Sequence, residues 1–202
     1  MVRLARLFVA AAAAVVLAGC ATGYRLDNQV QSFSQLQALP APATYRFERS
    51  LSQQTDPAQQ ALENLADPAL HRAGLRRDDA SPRYSVQVAA RTDRVLSPYA
   101  DPWDRWGGGW GGWGIGLGGR HFGVGIGAPF PRADTFWFQR EVTVVVRELA
   151  TSRVVYETHA TNSGPLMDSR TVLPAMFDAA MQGFPNPPQG PRRVDIQIGG
   201  KS

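Results

Sequence analysis

Alternating apolar and polar positions predict two strands soon after the N-terminal segment. The first strand would have its apolar residues on one face and its polar residues on the other: Tyr24, Leu26 and Val30 against Arg25, Asp27, Gln29 and Gln31. Pro40 and Pro42 then interrupt the chain. Residues 44–49 alternate again, with Tyr45 and Phe47 on one face, and predict the second strand.

A helix is predicted to begin after Asp56, which is a typical N-cap residue. Pro57 suits the first helical position, and Gln59 stands where a capping box has Glu or Gln. The helix would bury one apolar stripe, made of Ala61, Leu62, Leu65, Ala69, Leu70 and Ala73. Gly74 predicts its end. Pro68 removes a backbone donor inside the helix, so a kink or break is expected just before it.

Four more strands and a second helix follow. The buried face of the third strand would hold Tyr84, Val86, Val88 and Ala90, and that of the fourth, residues 135–149, would hold Phe136, Phe138, Val142, Val144 and Val146. A short turn at 150–152 leads to a fifth strand, 153–161, and predicts a hairpin. The second helix, 171–182, would bury Val172, Leu173, Met176, Phe177, Ala180 and Met181, and the last strand has Val194, Ile196 and Ile198.

This order of elements, β-β-α-β-β-β-α-β, predicts an α+β fold. We expect a mainly antiparallel sheet with two helices packed on one face, plus a Gly/Trp-rich insert at 99–131. The predicted organisation is a signal peptide at 1–19, a lipidated N-terminus with the first strand at 20–43, and a single domain at 44–198.

The insert holds four of the five tryptophans, Trp103, Trp106, Trp110 and Trp113. It also holds 12 of the 20 glycines, all between Gly107 and Gly127. Three interpretations stay open. The segment could be a mobile low-complexity loop, or its tryptophans could contact a membrane or a protein partner, because indole favours the boundary between water and an apolar phase. The tryptophans could instead stack on sugars of peptidoglycan.

The N-terminal segment has the pattern of a bacterial lipoprotein signal. Arg3 and Arg6 precede an uncharged apolar run, 7–18, which has the length of a signal-peptide core and is too short for an ordinary transmembrane helix. The run ends in Leu17-Ala18-Gly19-Cys20, which resembles a lipobox. Small residues let the peptidase hold the backbone, and the sulfur of Cys20 is the nucleophile that would accept the lipid.

Charge and cysteine content narrow the possible partners. The chain has 202 residues and a net charge of +4, which falls to +2 without Arg3 and Arg6. This weak, dispersed excess does not favour nucleic-acid binding. Cys20 is the only cysteine, so no intramolecular disulfide can form.

Candidate catalytic residues are sparse. His71, His121 and His159 lack ligand spacing, so neither a metal site nor a cofactor is expected. Asp168 and Ser169 together with His159 suggest a triad, but nothing like a nucleophile elbow surrounds Ser169, and starting a helix is the better role for the Asp-Ser pair. Three strand carboxylates have neighbours that look solvent-facing: Glu141, Glu148 and Glu157.

Several motifs in order resemble the bacterial lipoproteins that carry the domain-of-unknown-function family 4136. They are the lipobox, Thr44-Tyr45-Arg46-Phe47, a helix ending in Ala73-Gly74-Leu75, Tyr84-Ser85-Val86-Gln87-Val88, the insert, and a helix closing in Gly183-Phe184-Pro185. The resemblance covers residues 24–198. It implies an envelope lipoprotein of unknown activity, with no catalytic residues to carry over.

The sequence therefore predicts a non-enzymatic lipoprotein with a binding or structural role, held on a membrane through lipid at Cys20. By resemblance to sorted lipoproteins, the absence of Asp after Cys20 implies a location on the periplasmic face of the outer membrane. An envelope protein or peptidoglycan are the candidate partners. The alternative is a carboxylate-dependent hydrolase of envelope polymers, which would need paired acids in a cleft near the tryptophans.

Overall fold

The computed structural model describes residues 23–98, 136–166 and 168–199. The predictions for Cys20, for the insert and for its four tryptophans, Trp103, Trp106, Trp110 and Trp113, lie outside the described residues.

Seven strands form one sheet within this part of the chain. They are β1 (Tyr24–Ser34), β2 (Thr44–Phe47), β3 (Arg76–Arg77), β4 (Tyr84–Leu96), β5 (Phe136–Glu148), β6 (Arg153–Gly164) and β7 (Arg192–Ile198). Their order across the sheet is β3-β2-β4-β5-β6-β1-β7. The predicted hairpin is confirmed, because β5 and β6 pair antiparallel through the turn at 150–152.

The expectation of a mainly antiparallel sheet is wrong, because the sheet is mixed. β2 pairs parallel with both of its neighbours, β3 and β4, while the other pairs are antiparallel. A helix connects β2 to β3, and a helical crossover is the usual connection between parallel strands. Residues 78–83 then lead from β3 to β4 on the other side of β2.

Two helices, α1 (Pro57–Arg72) and α2 (Ser169–Met181), accompany the sheet, with a short 3-10 helix at Leu51–Gln53. Asp56 caps α1 by accepting a hydrogen bond from the backbone N–H of Ala58 at 2.8 Å, as predicted. Gly74, at φ +96°, ends the helix in a left-handed conformation, and Leu75 N–H bonds back to Leu70 C=O at 3.1 Å.

Pro68 does not break α1, so the predicted break is wrong, and the predicted kink stays a prediction. The helix is continuous through this residue. Pro68 lies on the exposed side of the helix, where water can bond the carbonyl that lacks its usual N–H partner. Gln59 also departs from its predicted capping role, because its side chain donates to Val88 C=O and Glu63 Oε1, both at 3.3 Å.

The core lies between one face of the sheet and both helices. Strand residues on this face alternate with exposed ones, and the fully buried set includes Leu26, Val30, Val86, Val88, Val142, Val144 and Val146. The predicted α2 stripe is buried in full. Two predicted core residues, Ala61 and Ala90, are exposed. On α1, Gln59, Glu63 and Ala66 occupy the inner face, and Ala61 points away from it.

Candidate functional site

One end of the sheet, where the chain leaves β4 and re-enters β5, concentrates aromatic side chains. We call it the insert end. Leu96 and Phe136 pair directly there, and Tyr24 pairs with Ile198 at the same end of β1 and β7. The side chains of Tyr24 and Leu96 are among the exposed large hydrophobic ones, at 40% and 43%. Exposed and half-buried apolar groups are therefore grouped at this end.

Arginine side chains stack on the aromatic rings of the insert end. The guanidinium carbon of Arg94 lies 3.7 Å from the centre of the Phe136 ring, and that of Arg140 lies 5.1 Å from the centre of Phe138. In such cation–π contacts, the face of the aromatic ring attracts the positive charge of the guanidinium that lies above it. The insert end therefore combines apolar rings with fixed positive charge.

Behind these rings, a row of polar residues crosses the helix-facing side of the sheet. Thr92, Arg140, Asn162 and Asn28 are in direct register across β4, β5, β6 and β1. Asn162 donates to Asp27 C=O at 2.9 Å, and Asn28 donates to Val194 C=O at 3.1 Å. The row thus bonds mainly to backbone carbonyls.

Arg140 joins this row to the start of α2. It is 1% exposed, and its guanidinium donates to Leu166 C=O at 2.7 Å and to Ser169 Oγ at 3.4 Å. Burial lowers the pKa of Arg140, and the nearby Asp168 carboxylate opposes that shift. These bonds fix the N-terminus of α2 over the row. The alternation of β5 indicated a buried position for Arg140, since it falls between Phe138 and Val142 on the predicted inner face.

Asp168 serves as the N-cap of α2, which confirms its predicted structural role. Its carboxylate accepts a hydrogen bond from Arg170 N–H at 3.0 Å and another from the Thr171 hydroxyl. The Thr171 hydrogen bond is the main reason that the pKa of Asp168 lies below its usual value, and the Arg170 N–H adds to it.

His159 lies on the opposite, open face of the sheet, so Asp168, Ser169 and His159 do not form a triad. Its Nε2 lies 2.8 Å from Glu157 Oε1, and its Nδ1 lies 3.1 Å from Thr143 Oγ1 and 3.6 Å from Glu141 Oε1. The imidazole therefore bridges two strand carboxylates at the surface. Among the described residues, no group of three or more His, Cys, Asp or Glu side chains could hold a metal ion.

A shallow polar groove of about 240 Å³ adjoins this cluster near the insert end. It is lined by Arg91, Asp93, Gln139, Arg140, Glu141 and Thr161. Its two carboxylates already have partners, since Asp93 pairs with Arg91 at 2.8 Å and Glu141 lies beside His159. The groove can hydrogen-bond a small polar group.

The other predicted residues are held in separate places. Glu148 accepts a hydrogen bond from Thr151 Oγ1 at 2.9 Å, at the far end of the sheet. His71 lies on α1, 3.8 Å from Asp67, whose carboxylate also accepts a hydrogen bond from the buried Tyr45 hydroxyl. Burial is the main cause that raises the pKa of Tyr45, and Asp67 adds to it. His121 lies outside the described residues.

In the ranges that the structure describes, no helix is long and apolar enough to cross a membrane.

A family model described as "Domain of unknown function (DUF4136)" matches residues 29–186. A comparison with curated proteins finds no match.

Solved structures that match this chain include two of PelC from Paraburkholderia phytofirmans, both dodecamers. One is 13% identical with a TM-score of 0.46, covering 80% of this chain and 99% of PelC. The other, a PelC variant, is 13% identical with a TM-score of 0.45, covering 76% and 94%. A PDZ domain protein from Parabacteroides distasonis is 14% identical with a TM-score of 0.43, covering 91% of this chain and 41% of its own.

Proposed function

Because the chain belongs to the DUF4136 family, whose function is unknown, we propose a function from its own residues: a lipoprotein of the cell envelope, anchored through Cys20, with a non-catalytic binding or structural role. The anchor would hold it on the periplasmic face of the outer membrane. The partner would be the membrane itself, with an envelope protein or peptidoglycan as further candidates.

The observation that carries this proposal is the position of Cys20. The only cysteine of the chain stands directly after two small residues that close an uncharged apolar run. Two or three acyl chains attached there would bind a bilayer far more strongly than one, since each buried methylene contributes about 0.8 kcal/mol. The family recognised from the sequence is confirmed.

The arrangement of acidic groups supports a non-catalytic role. Acid–base catalysis by two carboxylates needs one in each of two distinct environments. In the groove, Asp93 is ion-paired with Arg91, and Glu141 lies with His159 on the same open surface. Binding through hydrogen bonds suits such paired, solvent-facing groups better than proton transfer does. The four insert tryptophans remain proposed contacts with a membrane or partner.

Metabolic labelling with a palmitate analogue tests the anchor. Cys20→Ser should abolish labelling and leave an uncleaved precursor, because a hydroxyl is a far poorer nucleophile than a thiolate. Thr22→Ser, which changes a residue two positions later, should be labelled and processed normally. Labelling and maturation of Cys20→Ser at the normal level would refute the lipoprotein proposal.

A further inference from the structure

We propose that the insert end of the sheet rests on the phospholipid headgroup surface, with the strands leading away from the membrane. This proposal rests on the proposed lipid at Cys20. It assigns a membrane-contact surface to described residues: Tyr24 on β1, Arg94 and Leu96 on β4, and Phe136 and Trp137 on β5.

The short tether is the first argument. β1 begins at Tyr24, only four residues after Cys20. A fully extended chain of that length spans at most about 14 Å. A lipid on Cys20 would therefore hold the insert end close to the headgroups. The β5–β6 turn lies at the other end of β5, about 40 Å away along 13 residues of strand.

The second argument is that the helix layer stops short of the insert end. Alternation along β5 places Phe136 and Phe138 on the same face as Arg140. Ser169, the first residue of α2, contacts Arg140, so the helix begins at that level. The outermost row of the sheet holds Leu96 and Phe136, and Tyr24 and Ile198 continue that row on β1 and β7. The outermost row of the sheet, in which Tyr24 and Leu96 are exposed, thus lies past the start of α2, whereas Leu26 in the row before it is buried.

The third argument is the chemistry of this surface. Tyr and Trp favour a membrane interface, where the ring is in an apolar phase and the polar edge stays wet. Arg94, held over Phe136, adds a cation that lipid phosphates attract. Phe33 and Leu51 are also exposed. Phe33 lies near the opposite end of β1 and Leu51 lies in the 3-10 helix, and single exposed apolar residues are ordinary on protein surfaces.

The far end has a different character. The turn between β5 and β6 is formed by Ala150, Thr151 and Ser152, all exposed and none of them large or aromatic. Glu148 and Arg147 bond to this turn, through Thr151 and the Ser152 carbonyl. A polar turn gains little from a lipid surface, so the two ends of the sheet give a matched comparison.

The test uses the full-length lipidated protein in vesicles of phosphatidylethanolamine and phosphatidylglycerol. With the Cys20 sulfur in a thioether, Leu96→Cys introduces the only free thiol, which is labelled with an environment-sensitive fluorophore. Quenching by lipids that carry a quencher at the headgroup should remove most of the emission from position 96. Ala150→Cys, labelled in the same way at the far end, should keep its emission. Tyr24→Cys reports on the insert end from a second strand if the label at 96 disturbs folding.

The emission at positions 96, 24 and 150 distinguishes the possible orientations of the sheet. Quenching at 96 and 24 but not at 150 supports the proposal. Two results overturn the orientation if the protein floats with the vesicles: equal quenching at both ends, or no quenching at 96 and 24. Either result leaves the lipid anchor supported. Protein that fails to float with the vesicles overturns the lipid anchor and the orientation together.

Discussion

The carboxylate of Glu63 on α1 accepts a hydrogen bond from Arg49 Nε at 2.6 Å, and a second guanidinium nitrogen of Arg49 completes a bidentate pair. The Glu63 side chain is 1% exposed, whereas that of Arg49 reaches the surface. The ion pair ties α1 to the chain just after β2, and Gln59 donates a further hydrogen bond to the same carboxylate.

Removing the arginine should leave a buried charge without its partner. We expect Arg49→Met to lower the free energy of unfolding by about 3 kcal/mol, and the added change Glu63→Leu to restore most of it. Urea unfolding measures both effects. Arg72→Met, which breaks the exposed pair with Asp178, is the control and should cost under about 1 kcal/mol. Similar losses from the two single variants would contradict the special role of the buried pair.

The facing of β5 predicts opposite results at adjacent positions. Val144 is fully buried, so Val144→Asp should unfold the domain, because burying an unpaired charge costs several kcal/mol. Thr143 lies on the open face beside His159, so Thr143→Asp should be mild. Circular dichroism melting of both variants checks this. Equal damage would mean that the strand faces have been assigned wrongly.

The strands and helix ends were predictable because they depend on local signals. Alternation located β1, β4 and β5, and Asp56 and Gly74 marked the ends of α1. The parallel pairing of β2 was not predictable, since strand direction depends on how α1 packs after the crossover. β3 is only two residues long, which is too short for any periodicity.

The surroundings of the site could be predicted only in part. Asn28 interrupts the apolar face formed by Leu26 and Val30, and Arg140 interrupts that of β5. Those interruptions indicate buried polar residues. Their partners are distant in sequence, such as Leu166 for Arg140 and Val194 for Asn28, and only the folded sheet brings them together.

The N-cap of α2 predicts a pH-dependent contribution to stability. The pKa of Asp168 is lowered from 3.8, so its carboxylate stabilises the fold above that pH, and the stabilisation is lost as the pH falls through the lower, folded-state pKa. Asp168→Ala should therefore melt below wild type at neutral pH, with the difference shrinking in acid. Asp168→Asn keeps a neutral cap and should not follow this titration. If the difference in melting temperature between wild type and Asp168→Ala stays constant with pH, the proposed role of the carboxylate is contradicted.

Deleting residues 107–127 should leave the domain folded while weakening its contact with a membrane or partner. Leu96 and Phe136 pair directly, so the pairing of β4 with β5 does not need the deleted residues. Thermal melting and pull-down with liposomes and peptidoglycan, on the chain from residue 21 onward, separate the two effects. The control replaces Trp103, Trp106, Trp110 and Trp113 with Ser, which removes the indole rings and keeps the full length of the insert. Loss of folding would place the segment in the core, and unchanged binding would leave it as a tolerated loop.

The mass of the mature N-terminal peptide, isolated from membranes, tests the lipoprotein account most directly. The account predicts a chain that begins at Cys20, with a diacylglyceryl group on its sulfur. A mature chain that begins at any other residue, or one whose Cys20 carries a free thiol, would contradict it.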